Sequence, residues 1–353
     1  MSVGSVLNVL LVSAPKQARV ERVRAIDPQR LRVNELSSIE LAGDEGELWP
    51  PGRMDPGLSL SRRGGRAERD RLVREAHVIL LGLPYPTRLY ARTRDVLWVH
   101  HPNAGASNLW QSDFWGAPVP VTTSRGANAA LPIAESVIAG ALMFARGLHI
   151  GARGSMARGD YAGNVTLAGK TMGVVGLGGI GSHVARLAKG LGMTVLATRR
   201  SARARMLNVD GVDELLPPAQ LHEMLGRSDF VAVCVMLTRE TLGLLDPAAF
   251  AAMKPGSIVL NVARGEVIDE AAMLAALQAG RLGGAYLDVY AGELSGAPLI
   301  AALRDDPRVV ITPHVSGRAD NPGPLGFDVF LANLRNLLDG VPLRNVIDWS
   351  QGY

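Results

Sequence analysis

The stretch GLGGIG, Gly176 to Gly181, stands directly after the apolar run TMGVV and just before HVARLAKGLG. No other feature of the chain restricts its fold as strongly. A G-x-G-x-x-G turn between a strand and a helix uses its first glycine, Gly176, for the tight turn. The second, Gly178, lets the backbone approach a pyrophosphate, and the third, Gly181, lets helix and strand touch. Gly179 and Ile180 complete the turn, and the N–H groups at the helix start face the phosphates. The motif alone is a weak signal. Its strand–turn–helix context, with the next strand ending about 20 residues on, makes it a dinucleotide site.

From residue 171 the chain alternates regularly: strand TMGVVGL, helix HVARLAKGLG, strand TVLAT, then FVAVCVM, SIVLNVA, GAYLDVY and VVITPH as further strands with helices between them. Such alternation predicts an α/β fold with a parallel sheet covered on both faces. Upstream, residues 5–12, 77–83 and 95–101 read as strands, and 133–148 has helical periodicity with many small residues. The segment 44–66 is rich in Gly, Pro and charge and reads as an exposed loop or insertion. A final helix, GFDVFLANLRNLLDG, ends at Gly340. A chain of 353 residues calls for two domains, and 40 glycines with 5% aromatics suit helices lying close against a sheet.

The end of the second strand of the nucleotide fold sets the cofactor. An Asp or Glu there would hold both ribose hydroxyls of NAD, but this chain has Thr198, Arg199, Arg200 and Ser201, with Arg203 and Arg205 following. A carboxylate repels a 2′-phosphate, whereas guanidinium groups bind it with charge-assisted hydrogen bonds. NADP(H) is therefore expected in preference to NAD(H), with NAD(H) still open.

Three later strands each end in a polar residue, where ligands of α/β sheets collect. They bring Arg264 in LNVARGEVIDE, Asp288 and Glu293 in GAYLDVYAGEL, and His314 in VVITPHVSG. His314 can protonate an oxygen as a carbonyl accepts hydride from nicotinamide C4. Glu293, in contact with the imidazole, would favour its charged form. Arg264 can clamp a substrate carboxylate with paired hydrogen bonds and polarise the adjacent carbonyl.

Other functional classes find little support. A net charge of +4 comes from arginines spread over many segments, with no nucleic-acid-binding motif beside them. The single cysteine, Cys234, lies in FVAVCVML and reads as a buried strand residue; it excludes a disulfide framework and suits a reducing, cytoplasmic setting. His100 and His101 are neighbours on a strand, so their side chains face opposite ways, and no third ligand accompanies them. No metal is expected. IAESVIAGALMFA carries Glu135 and is too short to span a bilayer, and SVLNVLLVSA reads as a strand rather than a targeting segment.

With GVVGLGGIG, SDFVAVCVMLTRET, NVARG, GAYLDVY with its following Glu, and TPH, the chain resembles the D-isomer-specific 2-hydroxyacid dehydrogenase family, over nearly its whole length from about residue 78. Within it the chain is similar to glyoxylate/hydroxypyruvate reductases. The resemblance implies a Rossmann domain, 128–316, inserted into a flavodoxin-like substrate domain of 1–127 and 317–353, with a cleft that closes on substrate. It matches Arg264 to the carboxylate-binding arginine, Glu293 to the acid of an acid–histidine dyad and His314 to the proton donor. Asp288 matches a residue near the nicotinamide carboxamide. Leu237 and Thr238 lie in the loop along the cofactor, with Val262, Ala263, Arg264, His314 and Ser316 completing the cofactor contacts. In HPNAGASNL the backbone of Ala104 and Gly105 would hold the substrate carboxylate. The resemblance also implies a homodimer joined through 133–146 and reduction of a small 2-oxo acid, such as glyoxylate or hydroxypyruvate, to the D-2-hydroxy acid.

The chain departs from the family at Leu294 and Met236, where many relatives have proline, and after TPHVSG; these positions bear on the substrate rather than the reaction. Two alternatives stay open: a phosphite dehydrogenase-like enzyme, and a non-catalytic, dinucleotide-sensing binding protein like the corepressors that reuse this fold.

Overall fold

Two parallel sheets absorb the apolar runs. In the computed structural model, residues 6–12, 17–43, 48–49, 65–125, 129–154, 163–320 and 326–353 are described. Apart from 48–49 and 65–66, the 44–66 segment lies outside them. The chain divides into two compact units: Met1–Ala127, Leu294–Gly296 and Gly323–Tyr353 form the first, and Asn128–Glu293 with Ala297–Pro322 the second. The second thus keeps the whole turn that follows its last strand.

In the first unit five strands run parallel in the order Leu31–Leu36, Leu7–Val12, Val78–Leu81, Trp98–His101, Val121–Thr123. That is the flavodoxin-like order. Successive side chains point to opposite faces, so Leu10, Val12, Ile79, Leu81 and Val99 build one core layer. Val9, Leu11, Val78, Leu80 and Trp98 build the other. Both faces are covered, so the central strand Val78–Leu81 reads as an unbroken apolar run, while the edge strand Leu31–Leu36 begins by alternating. The helix Gly326–Leu338 seals the second face with Phe327, Phe330, Leu331 and Leu334, an apolar stripe at helical spacing. Phe330 stacks on Trp98 with ring centroids 5.2 Å apart.

His100 and His101 are both fully buried and belong to this packing. Thr122 Oγ1 accepts from Trp98 Nε1 at 2.8 Å and meets His100 Nδ1 at 2.7 Å, while His100 Nε2 lies 3.2 Å from the Gly326 carbonyl. A neutral ring, accepting at Nδ1 and donating from Nε2, satisfies all of them. His101 bonds the Leu81 carbonyl through Nδ1, at 2.9 Å. Burial pulls the His100 pKa down from 6.5 to about 3. The unfolded chain therefore takes up a proton below its own pKa of 6.5 while the folded chain does not. Stability is full above that value and falls as pH drops toward 3, by about 1.4 kcal/mol at pH 5.5. Urea midpoints at pH 7.5 and 5.5 check this. His100→Gln should flatten the decline, and an unchanged slope would assign it to other groups.

In the second unit the strand order is Met206–Val209, Val212–Leu216, Thr194–Thr198, Thr171–Val175, Phe230–Val233, Ser257–Asn261, Leu282–Leu287, Val309–Ile311. All neighbours are parallel except the first pair, an antiparallel hairpin. The helix Ala130–Ala145 lays Ala134, Val137, Ala141 and Ala145 into the same core as Val184, Ala185 and Ala188 of the helix Gly179–Gly190. Small side chains let helices pack closely over the central strands. Cys234 falls one residue beyond Phe230–Val233 and is half-buried, so the expectation of a buried strand residue is corrected at that position. Among the described residues no helix is long and apolar enough to cross a membrane.

Candidate active site

Thr171–Val175 lies between Thr194–Thr198 on one side and Phe230–Val233 on the other, so the chain reverses its progress across the sheet at its carboxyl end. Ligands of open α/β sheets bind at such a point. Gly176 turns there with φ of 97°, and an added Cβ would come within 2.8 Å of Val235 Cγ1 and 3.0 Å of its backbone nitrogen. At Gly181 a Cβ would meet the Gly176 carbonyl oxygen at 2.2 Å, so helix and strand touch only because it is glycine. Around Gly178 and Gly179 nothing stands within 4 Å of an added Cβ, which leaves room for a phosphate. The helix Gly179–Gly190 begins without a side-chain cap, so its first N–H groups suit an anion. Ile180 lies half-buried in its first turn. The residues present thus fit a dinucleotide pyrophosphate.

Thr198 is buried, and its carbonyl accepts from Gly176 and Leu177 at 3.1 and 2.8 Å, which ties the glycine turn to the next strand end. Beyond it Arg199 pairs with Asp210 at 2.6 Å, Arg200 lies 3.6 Å from Glu240, and Ser201 is exposed. These are solvent-accessible pairs of small worth, open to exchange with a stronger anion. Arg205 does not join them: its Nε contacts buried Glu214 at 2.9 Å, and it also pairs with Glu223. Arg227, and then Arg205, hold the Glu214 carboxyl below its usual range.

Leu237 and Thr238 are buried in the next turn. The Thr238 N–H donates to Thr241 Oγ1 at 2.8 Å, and that hydroxyl donates to the Met236 carbonyl at 2.6 Å. The end of Ser257–Asn261 is shaped by Asn261 itself. Its Oδ1 accepts from Ala263 N at 3.0 Å and its Nδ2 donates to the Arg264 carbonyl at 3.1 Å. Val262 and Ala263 are buried, and Arg264 projects from this turn with Nη1 donating to the Ala263 carbonyl at 2.7 Å. Burial pulls the Arg264 pKa down, while Glu293 and Glu266 lie near enough to oppose that pull.

Asp288 is fully buried at the end of Leu282–Leu287. Its Oδ1 accepts from Thr312 Oγ1 at 2.5 Å and Val315 N at 2.9 Å, and Oδ2 accepts from Ser316 N at 3.1 Å. The carboxylate therefore holds the 312–316 turn, including buried Ser316. His314 sits within that turn at φ of 54°, a left-handed backbone unusual for a histidine. Its N–H donates to the Asp288 and Thr312 carbonyls at 3.0 and 2.9 Å. So held, His314 Nδ1 meets Glu293 Oε1 at 2.5 Å.

Arg264, Glu293 and His314 thus come together at one edge of the second unit. Ala104 and Gly105 belong to the first unit, where Ala104 is exposed and Gly105 is half-buried with extended backbone. The holding roles of Asn261 and Asp288 were not foreseen from sequence; their position at strand ends was the available signal.

The sequence model of the family described as D-isomer specific 2-hydroxyacid dehydrogenase, NAD binding domain, matches residues 138–316. Among curated proteins, D-3-phosphoglycerate dehydrogenase of Archaeoglobus fulgidus is 32% identical over 305 residues, which cover 83% of this chain and 55% of the relative. Glyoxylate reductase of Thermococcus onnurineus is 39% identical over 147 residues, 42% of each chain. This chain spans about half the length of these relatives, or less. Among solved structures, a D-isomer specific 2-hydroxyacid dehydrogenase from Xanthobacter autotrophicus Py2, in complex with NADPH and MES, matches with a TM-score of 0.75. It is 26% identical and covers 99% of this chain and 100% of its own. Fold and glycine turn together define a two-domain α/β protein with a dinucleotide-binding unit. The chain belongs to the D-isomer specific 2-hydroxyacid dehydrogenase family.

Proposed function

We propose that the protein is an NADP(H)-dependent oxidoreductase that reduces a small 2-oxo acid, such as glyoxylate or hydroxypyruvate, to the 2-hydroxy acid, the D-isomer where the product is chiral. The observation that carries this reading is the 2.5 Å contact of His314 Nδ1 with Glu293, beside Arg264. The bound nicotinamide would supply the hydride for reduction. A carboxylate can only accept at Nδ1, so the ring donates there and keeps Nε2 for the substrate oxygen. Protonated at both nitrogens, His314 delivers the Nε2 proton to the oxygen that gains charge, and Glu293 stabilises the imidazolium until then. Arg264 holds the substrate carboxylate and draws charge toward the neighbouring carbonyl oxygen.

Gly176, Gly178 and Gly181 would cradle the pyrophosphate, and Arg199 and Arg200 the 2′-phosphate. A dianionic phosphate with three acceptor oxygens competes well against single, exposed carboxylate partners. The NADPH named with the Xanthobacter relative supports the same preference. Arg199→Asp with Arg200→Ala is expected to reverse the preference, lowering the NADPH-to-NADH ratio of kcat/KM about 100-fold. An unaltered ratio would defeat the phosphate reading. The curated relatives act on different acids by name, so initial rates with glyoxylate, hydroxypyruvate and its 3-phosphate, beside phosphite with NADP+, decide the substrate. Preferred turnover of phosphite, or no turnover of any 2-oxo acid, would overturn the proposal.

A further inference from the structure

The turn that carries Glu293 is gripped by two other carboxylates. Glu270 opens the helix Glu270–Gln278, yet Asp269 caps that helix, accepting from Ala272 N at 2.9 Å. Glu270 is thus not needed as the cap, and its Oε1 instead accepts from Ala291 N at 2.7 Å. Glu266, in the short 3-10 turn Gly265–Val267, accepts from the next amide, Gly292 N, at 3.1 Å. Between these two acids the backbones press together. A Cβ on Gly265 would stand 1.8 Å from the Tyr290 carbonyl carbon and 2.1 Å from Ala291 N. Gly292 then turns with φ of 73°, and Glu293 follows.

We propose that Glu266 and Glu270 are positioning residues, which clamp the consecutive amides of Ala291 and Gly292 and so aim Glu293 at His314. The proposal rests on reading Glu293 and His314 as the proton-transfer pair. Fold stability alone does not ask for two acids here. Burial raises the Glu270 pKa, the Ala291 amide opposes that rise, and Glu266 adds repulsion. Neutral acceptors would bond both amides without that repulsion. Glu266 meanwhile lies within electrostatic reach of Arg264, and its backbone carbonyl accepts from Gly243 N at 2.8 Å. One side chain and its own peptide therefore tie the Glu293 turn, the Arg264 turn and the loop after Thr238 into a single unit. A carboxylate that drifts by an ångström no longer meets the imidazole at hydrogen-bond length, and displacements of that size cost on the order of 100-fold in rate.

The test is a double-mutant cycle on the whole protein with NADPH and its best 2-oxo acid. Glu270→Ala, and separately Glu266→Ala, should lower kcat about 10- to 100-fold, with NADPH Kd and substrate KM within about threefold. Glu270→Gln keeps the acceptor oxygen and should restore kcat to within about threefold. In a Glu293→Gln background, Glu270→Ala should lower kcat no further, because the residue it positions has already lost its charge. Additive losses, or a lower melting temperature with wild-type kcat, would overturn the clamp. Should Glu270→Ala fail to fold, Glu266→Ala and slowed hydrogen exchange at the Ala291 and Gly292 amides still decide; rapid exchange there rejects it. If Glu293→Gln itself leaves kcat intact, the proton-transfer reading has failed. If Glu293→Gln abolishes turnover while neither Ala variant does, only the clamp has failed.

Discussion

Replacing His314 by Asn is expected to lower kcat by ~10²–10⁴ while the Kd for NADPH stays within about twofold. The choice of Asn matters. His314 occupies left-handed backbone at φ of 54°, where Asn is tolerated and Ala pays about 1–2 kcal/mol in strain. Asn therefore removes the titrating ring without disturbing the turn, whose shape is fixed by the buried Asp288 carboxylate through Thr312, Val315 and Ser316. His314→Ala should lose the same turnover and, in addition, melt at lower temperature. Steady-state rates and NADPH fluorescence titration read the two effects apart. If cofactor affinity falls with kcat in the Asn variant, His314 is a binding residue rather than the proton donor.

The nucleotide turn and the polar residues just past the strand ends were legible in the sequence because each follows a strongly apolar strand, whereas the pairing of Glu293 with His314 came from the family resemblance. A strand's end fixes the neighbourhood of the residues just after it, as for Arg264 three residues beyond Asn261 and His314 three beyond Ile311. Glu293, six beyond Leu287, depends on the turn between. The hairpin Met206–Val209 and Val212–Leu216 was not legible by the same logic. Its first strand is almost wholly exposed and shows no apolar alternation. The Asp210-Gly211 pair at its tip was a turn signal that could have revealed it. Missing it hid the partner of Arg199, and it made Arg205 look like part of a phosphate site when that residue serves Glu214.

Asp288 shows a different limit. Its place beside the site could be read, but its bonds depend on how residues 312–316 fold back, which no local pattern encodes. Glu266 and Glu270 look in sequence like an acidic approach to a helix, a pattern usually solvated. Only the return of Ala291 and Gly292 across Gly265 gives them partners. Groups placed by a single element were thus readable, while those placed by the meeting of two elements were not.

Arg264→Lys is expected to lower kcat/KM for the 2-oxo acid roughly 10²–10³-fold, mostly through KM, with NADPH affinity nearly unchanged. The substitution keeps a cation but loses the planar fork that can bond both oxygens of a carboxylate at once. Orientation suffers as well. Arg264 anchors Nη1 on the Ala263 carbonyl at 2.7 Å, and an ammonium has no second, rigidly placed nitrogen left to aim at substrate. Burial makes the change harsher, since it already pulls the arginine's pKa down. A lysine starts about two units lower or more, so in the same surroundings it is far easier to neutralise. Glu293 and Glu266, which support the guanidinium, would oppose that neutralisation but cannot restore the fork. Raising the pH should therefore weaken the Lys variant further while leaving the Arg enzyme's KM level over the same range. An unchanged KM in Arg264→Lys would mean that the guanidinium does not clamp the substrate, and the carboxylate would then need another anchor.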